Sequence, residues 1–107
     1  MPSESIVLTE AVYYILLSLY SPLHGYGIMQ NTAILSNKRV NLAAGTLYGA
    51  LDTLLEKGWI RSLPSESDSR KKKYEITKLG KEIAERELLR LRELLANGEK
   101  IIEGENK

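Results

Sequence analysis

The last third of the chain carries the strongest constraint on what it can fold into. Ala84, Leu88, Leu91, Leu95, Gly98 and Ile102 recur at spacings of 4, 3, 4, 3 and 4 residues. That is a heptad seam along one face of a helix. A lone copy would leave several large apolar side chains in water. The seam must therefore fold back on its own domain or be buried against a second copy. Two-fold dimers are the commonest oligomers, so the expectation is a homodimer with Ala84, Leu88, Leu91, Leu95 and Ile102 at its interface. The helix should run over 78–102 with Thr77 as N-cap. Asn97-Gly98 should bend or end it, and residues 103–107 should fray.

The elements before it are short. Ala11, Val12, Ile15, Leu16 and Leu19 fall at helical spacing within 9–20. Thr9 suits the N-cap, and Glu10 suits the positive end of the helix dipole. Tyr13, Tyr14 and Leu17 are surplus apolar residues on this helix, which should share the dimer interface with the last one. Ser21-Pro22 stops it. A second helix over 24–36 opens on His24-Gly25-Tyr26-Gly27, with His24 in a capping role. Each glycine costs a helix about 1 kcal/mol relative to alanine. A neighbouring helix passing close by would account for them. After the polar break 36–39, residues 40–42 read as a very short strand. A third helix over 44–57 has Leu47, Ala50, Leu51, Leu54 and Leu55 on its inner face, and Gly58 ends it as a C′ glycine. Two strands over 59–63 and 72–76 flank a polar, turn-rich loop at 64–71.

Three short helices followed by a hairpin is a winged helix-turn-helix arrangement. The fold class is mainly α with a small β-hairpin: a winged helix-turn-helix domain over 1–77 and a C-terminal dimerisation helix over 78–107. A hairpin alone is marginal in water, so Trp59 and Ile60 should anchor it on the helices. The polar face of the third helix and the loop tip are then left exposed together.

The charge distribution fits a polyanionic partner better than its sum does. Net charge is +1, yet residues 36–81 hold ten Lys/Arg against five Asp/Glu, and both ends are net acidic. The small residues Ala43, Ala44, Gly45 and Gly49 would let the third helix approach a DNA groove closely. Thr46 and Tyr48 offer a hydroxyl, a methyl and a ring edge. This helix has no Arg, Asn or Gln, so bidentate base readout by its residues is not expected, and DNA shape should carry part of the specificity. Arg70, Lys71, Lys72 and Lys73 sit at the wing tip and suit phosphate or minor-groove contact. Lys38 and Arg39 stand ready to grip the backbone on the other flank.

Other chemistry finds little support. There is no cysteine and one histidine, so neither a zinc site nor a thiolate nucleophile is expected. No catalytic residue, metal or cofactor is assigned. The charges after Glu82 read as a solvated helix face. No apolar run approaches the roughly 18 residues of a membrane span, so no membrane partner is expected. The first ten residues have no basic segment or cleavage site, which argues against a signal peptide. A cytoplasmic location is the expectation.

The ordered set His24-Gly25-Tyr26-Gly27-Ile28, then 45–51 (Gly-Thr-Leu-Tyr-Gly-Ala-Leu), 55–60 (Leu-Glu-Lys-Gly-Trp-Ile), 70–74 and 76–80 resembles the PadR family. Each motif alone is weak; their order and spacing over 8–84 are specific. The short C-terminal part resembles the subgroup with a single dimerisation helix. The resemblance implies a winged-helix dimer that represses a neighbouring operon in response to a small molecule. It puts Tyr26, Thr46 and Tyr48 at the DNA face and Arg70 to Lys73 in the wing. Many members carry proline where Gly49 stands. Members that sandwich planar drugs carry a tryptophan in the last helix, where this chain has Leu91.

The expected function is a DNA-binding regulator, a ligand-responsive repressor of a pseudo-palindromic operator. Its partners would be double-stranded DNA, a second copy and a small apolar or aromatic effector. The effector would sit in a cavity bounded by Tyr13, Leu17, Leu88 and Leu91. The rival is a winged-helix protein-interaction module without DNA binding, against which the central cations argue.

Overall fold

A computed structural model describes residues 6–64 and 72–104. The elements run α1 (Glu10–Ser18), β1 (Leu23–His24), α2 (Gly25–Leu35), α3 (Ala44–Glu56), β2 (Ile60–Ser62), β3 (Lys73–Ile76) and α4 (Lys78–Gly98). A single π-helical turn over Glu99–Glu103 prolongs α4.

The caps form where the side chains allow them. The Val12 N–H donates to Thr9 Oγ1 at 3.1 Å, the Gly27 N–H to His24 Nδ1 at 3.1 Å, and the Gly80 N–H to Thr77 Oγ1 at 3.0 Å. Each satisfies an orphan donor of a first helical turn. Gly58 ends α3 at φ 76°, a left-handed position that glycine adopts without a Cβ penalty. α3 has no side-chain cap, because its N-cap is Ala43.

The core joins all three short helices to the sheet. Ile15, Leu16 and Leu19 of the first helical segment meet Ile28, Leu47, Leu51 and Leu54, and Trp59, Ile60, Tyr74, Ile76 and Ile83 close the cluster. In β3, Tyr74 and Ile76 point inward and Lys73 outward, as the two-residue period of a strand requires. The close approach at Gly25 is made by α3, where a methyl group would collide with the Tyr48 hydroxyl; Gly27 lies instead against the side chains of Leu23 and His24.

The sheet departs from the expected hairpin in two ways. It has three antiparallel strands in the order β1-β3-β2, with Leu23 opposite Tyr74 and Ile60 opposite Ile76. The third strand is supplied by Leu23–His24, not by 40–42, which form no strand. The Val40 N–H is already taken by Ser36 Oγ at 2.8 Å, and Leu42 packs half-buried against the core. The outer edge of β3 is instead met by the two residues between Pro22 and α2. Proline has no N–H to give a ladder, which keeps that strand to a single short rung.

The start of α4 is locked to the rest. The Ile76 N–H donates to the Leu19 carbonyl at 2.9 Å, and the Thr77 N–H to the Trp59 carbonyl at 3.0 Å. The Thr77 hydroxyl donates to the Gly58 carbonyl at 2.7 Å. Gly80 lies against the Trp59 carbonyl so closely that a Cβ there would overlap it. Beyond Leu91 the helix leaves its own domain, and the molecule measures 61 Å along its longest axis. The α-helical ladder ends at Gly98, as expected, but the chain stays helical by widening into the π turn.

Candidate DNA interface

On α3, Leu47, Leu51 and Leu54 are buried, which turns Gly45, Thr46, Gly49, Asp52 and Thr53 to solvent. Gly45 and Gly49 have nothing within 4 Å of an added Cβ. The outer face is thus shallow, uncrowded and free of large side chains over its first two turns. Tyr48 stands on its shoulder, 42% exposed, with its hydroxyl against Gly25 at the start of α2. It is a residue of both surfaces, part packed against α2 and part open.

The sheet brings further candidates to the same neighbourhood. Pairing of His24 with Lys73 sets the base of the wing beside the start of α2, where Tyr26 is exposed. Behind them Tyr74 is held above the usual phenol range, first by burial and then by the nearby Tyr48 and Asp52 of α3. Lys72 and Lys73 are both exposed. Arg70 and Lys71 lie outside the described residues. In β2, Arg61 is committed to its cross-strand partner, its Nε donating to Glu75 Oε2 at 2.7 Å.

On the other flank Lys38 is exposed, in a turn where both Asn37 (φ 57°) and Lys38 (φ 67°) are left-handed. Arg39 is exposed too, but it is not free. Its Nε donates to Glu10 Oε2 at 2.9 Å, and its Nη2 contacts the same oxygen. This hydrogen bond holds the Glu10 carboxyl below the usual carboxylate range. Sequence reasoning gave Glu10 to the helix dipole and Arg39 to DNA, and missed that the fold joins them.

The dimer and effector residues are rearranged. Ala84 is 3% exposed, covered by its own domain, and does not belong to a seam offered to a second copy. Leu88, Leu91, Leu95 and Ile102 are exposed, with Leu94 and Ile101 beside them. An apolar groove of about 430 Å³ runs past Leu94, Leu95, Gly98 and Ile102. A second groove, of about 240 Å³, lies between the start of α1 and the middle of α4. It is lined by Tyr13 and Leu91, as expected, but by Leu8, Tyr14, Glu10, Glu87 and Arg90 in place of Leu17 and Leu88.

Glu87 overturns the reading of this stretch as a solvated face. It is 2% exposed, and its two oxygens accept from Arg90 Nε at 2.9 Å and Arg90 Nη2 at 2.6 Å. The fork holds its carboxyl below the usual carboxylate range against the opposing effect of burial. Its position was readable: Gly80, Ile83, Ala84 and Glu87 are i, i+3, i+4 and i+7 of one buried face.

Three helices, a three-stranded wing and an open third helix define a winged-helix regulator. A family model described as the transcriptional regulator PadR-like family matches residues 14–86. The chain belongs to that family, whose regulators act as DNA-binding proteins. Among solved structures, a transcriptional regulator from Clostridium thermocellum superposes with a TM-score of 0.69 at 23% identity, over 86% of this chain and 91% of that one. A PadR family regulator from Clostridium difficile gives 0.66 at 23% identity, over 85% and 97%. The multiple antibiotic resistance repressor MarR gives 0.67 at 25%, over 92% of this chain and 67% of that one. An uncharacterised 37.1 kDa protein of transposon TN4556 from Streptomyces fradiae is 42% identical over 66 residues. That match spans 62% of this chain and 18% of the relative. No helix among the described residues is long and apolar enough to cross a membrane.

Proposed function

We propose that the protein is a transcriptional repressor that binds a pseudo-palindromic operator as a homodimer. α3 enters the major groove, the wing follows the flanking backbone, and an effector in the α1–α4 groove modulates binding. The observation that carries this reading is the outer face of α3. Gly45, Thr46 and Gly49 make a helix surface with no side chain large enough to hold a groove at a distance, and Tyr48 flanks it. Exposed Lys38, Lys72 and Lys73 lie at the preceding turn and the wing, where phosphate contacts fix register.

Dimerisation is supported by the distal part of α4. Burying one leucine is worth roughly 1.5–3 kcal/mol. Leu88, Leu91 and Leu95 are 40%, 36% and 61% exposed, so covering what remains open, doubled by symmetry, supplies about 4–8 kcal/mol towards the cost of association. Two α3 helices would then address successive major grooves roughly 34 Å apart.

The test is operator binding by Thr46→Ala, Tyr48→Ala and Tyr48→Phe, on DNA taken from an inverted repeat flanking the coding gene. The alanine variants should bind at least about fivefold more weakly, since a single hydrogen bond at about 0.5–1.5 kcal/mol is lost from both protomers, and remain folded. Unchanged binding by both would remove α3 from the interface. No salt-dependent binding to any duplex would favour a protein-interaction module.

A further inference from the structure

Among the described residues three ion pairs are formed, and they differ in what they join. Arg61–Glu75 links paired strands, and Arg90–Glu87 lies within one helix. Only Arg39–Glu10 ties the turn leading into α3 to a separate helix, α1. The turn itself is stiff. The Lys38 N–H donates to the Ala33 carbonyl at 2.7 Å, and the Asn41 side-chain amide donates to the Lys38 carbonyl at 2.7 Å. Arg39 therefore leaves a fixed backbone, and only its side chain is free to choose a partner.

Both members of the pair are largely exposed, and an exposed pair contributes little to stability. A structural staple is thus a weak account of it. Exchange is a better one. Glu10 engages the guanidinium through a single carboxylate oxygen, and a phosphodiester offers that same guanidinium a bidentate anion. We propose that Glu10 is an internal stand-in for a DNA phosphate. It occupies Arg39 in the free protein and yields it to the backbone when DNA binds, so that Glu10 lowers affinity for DNA through Arg39. This rests on the proposed function, in which the turn before α3 runs along the duplex.

The contact is with phosphate, so a short duplex of mixed sequence is a sufficient probe, titrated with salt. Glu10→Gln should bind about two- to fivefold more tightly than the natural chain, the factor that corresponds to an exposed pair. Arg39→Gln should lower the log–log salt slope by about 1.8, one phosphate contact from each protomer of the dimer. In the Arg39→Gln background, Glu10→Gln should change nothing. If Glu10→Gln tightens binding equally in both backgrounds, loss of an acidic charge explains it and the stand-in is refuted. If Arg39→Gln leaves the slope intact, Arg39 never reaches DNA and the inference falls while the proposed function stands. Absence of binding by the natural chain would overturn the proposed function itself. Circular dichroism of each variant confirms the fold, and the exchanged pair Glu10→Arg with Arg39→Glu separates the two roles: it restores a staple and leaves the slope reduced.

Discussion

Along a single helix the same residue types meet two environments. From Gly80 to Glu87 every inward position of α4 is covered by the chain's own core, down to a charged glutamate. From Leu88 onward the leucines continue in phase and stand in water, Leu95 at 61% and Ile102 at 66% exposed. An apolar stripe therefore says that a surface is to be buried and leaves open by what. The buried half holds the wing in place. The exposed half has no such cover among the described residues.

The sharpest way to break this comparison is to charge the exposed half. Leu95→Glu should weaken self-association at least about 100-fold, since two leucines leave the interface at roughly 1.5–3 kcal/mol each. Sedimentation should show monomers with an unchanged helical spectrum. A dimer of normal strength would place the interface elsewhere. Truncating the covered core instead, Leu51→Ala should cost about 2–5 kcal/mol of unfolding free energy, measured by denaturant titration; a loss below about 1 kcal/mol would contradict its burial.

The boundary residue sharpens the comparison further. Glu87 has a lowered carboxyl pKa in the folded protein because Arg90 hydrogen-bonds its charged form. Its contribution is therefore complete above the unfolded value of about 4.3 and fades as pH falls through the lower folded value. Glu87→Gln should remove about 1–3 kcal/mol near neutrality and flatten the acid limb of the stability curve. An acid limb that the substitution leaves unchanged would mean that the pair is not formed in solution. The smallest effect is expected on α3. Gly49→Ala should raise stability by about 0.5–1 kcal/mol, since nothing there opposes a methyl group. The same methyl should weaken operator binding if the backbone approaches DNA. Tighter operator binding would argue against close approach.

What was legible in the sequence follows from how locally each feature is decided. Thr9, His24, Thr77 and Gly58 act within their own helix ends, so short-range rules find them. The phases of α1 and α3 came from period alone. The β1 strand was invisible because two residues carry no alternation, and it exists only because β3 has an open edge. The strand expected over 40–42 failed because Ser36 captures the Val40 N–H. Glu10–Arg39 spans 29 positions, beyond any local pattern. Glu87 and Ala84 were misread for opposite reasons. A charge was taken as solvated, and an alanine was taken as part of an outward seam, although both lie on the stripe that faces the chain's own core.

The contact between Gly80 and the Trp59 carbonyl has a mechanical consequence. With no side chain between them, the base of α4 has no slack against the wing, so the helix and its domain turn as one rigid body. From Gly80 to Gly98 the arm is about 27 Å at 1.5 Å per residue. A turn of the domain by about 5° thus swings the far end by about 2 Å. Run in reverse, a displacement of the far end turns the whole domain, the third helix included, by the same small angle. A bulkier residue at 80 would act as a worn bearing.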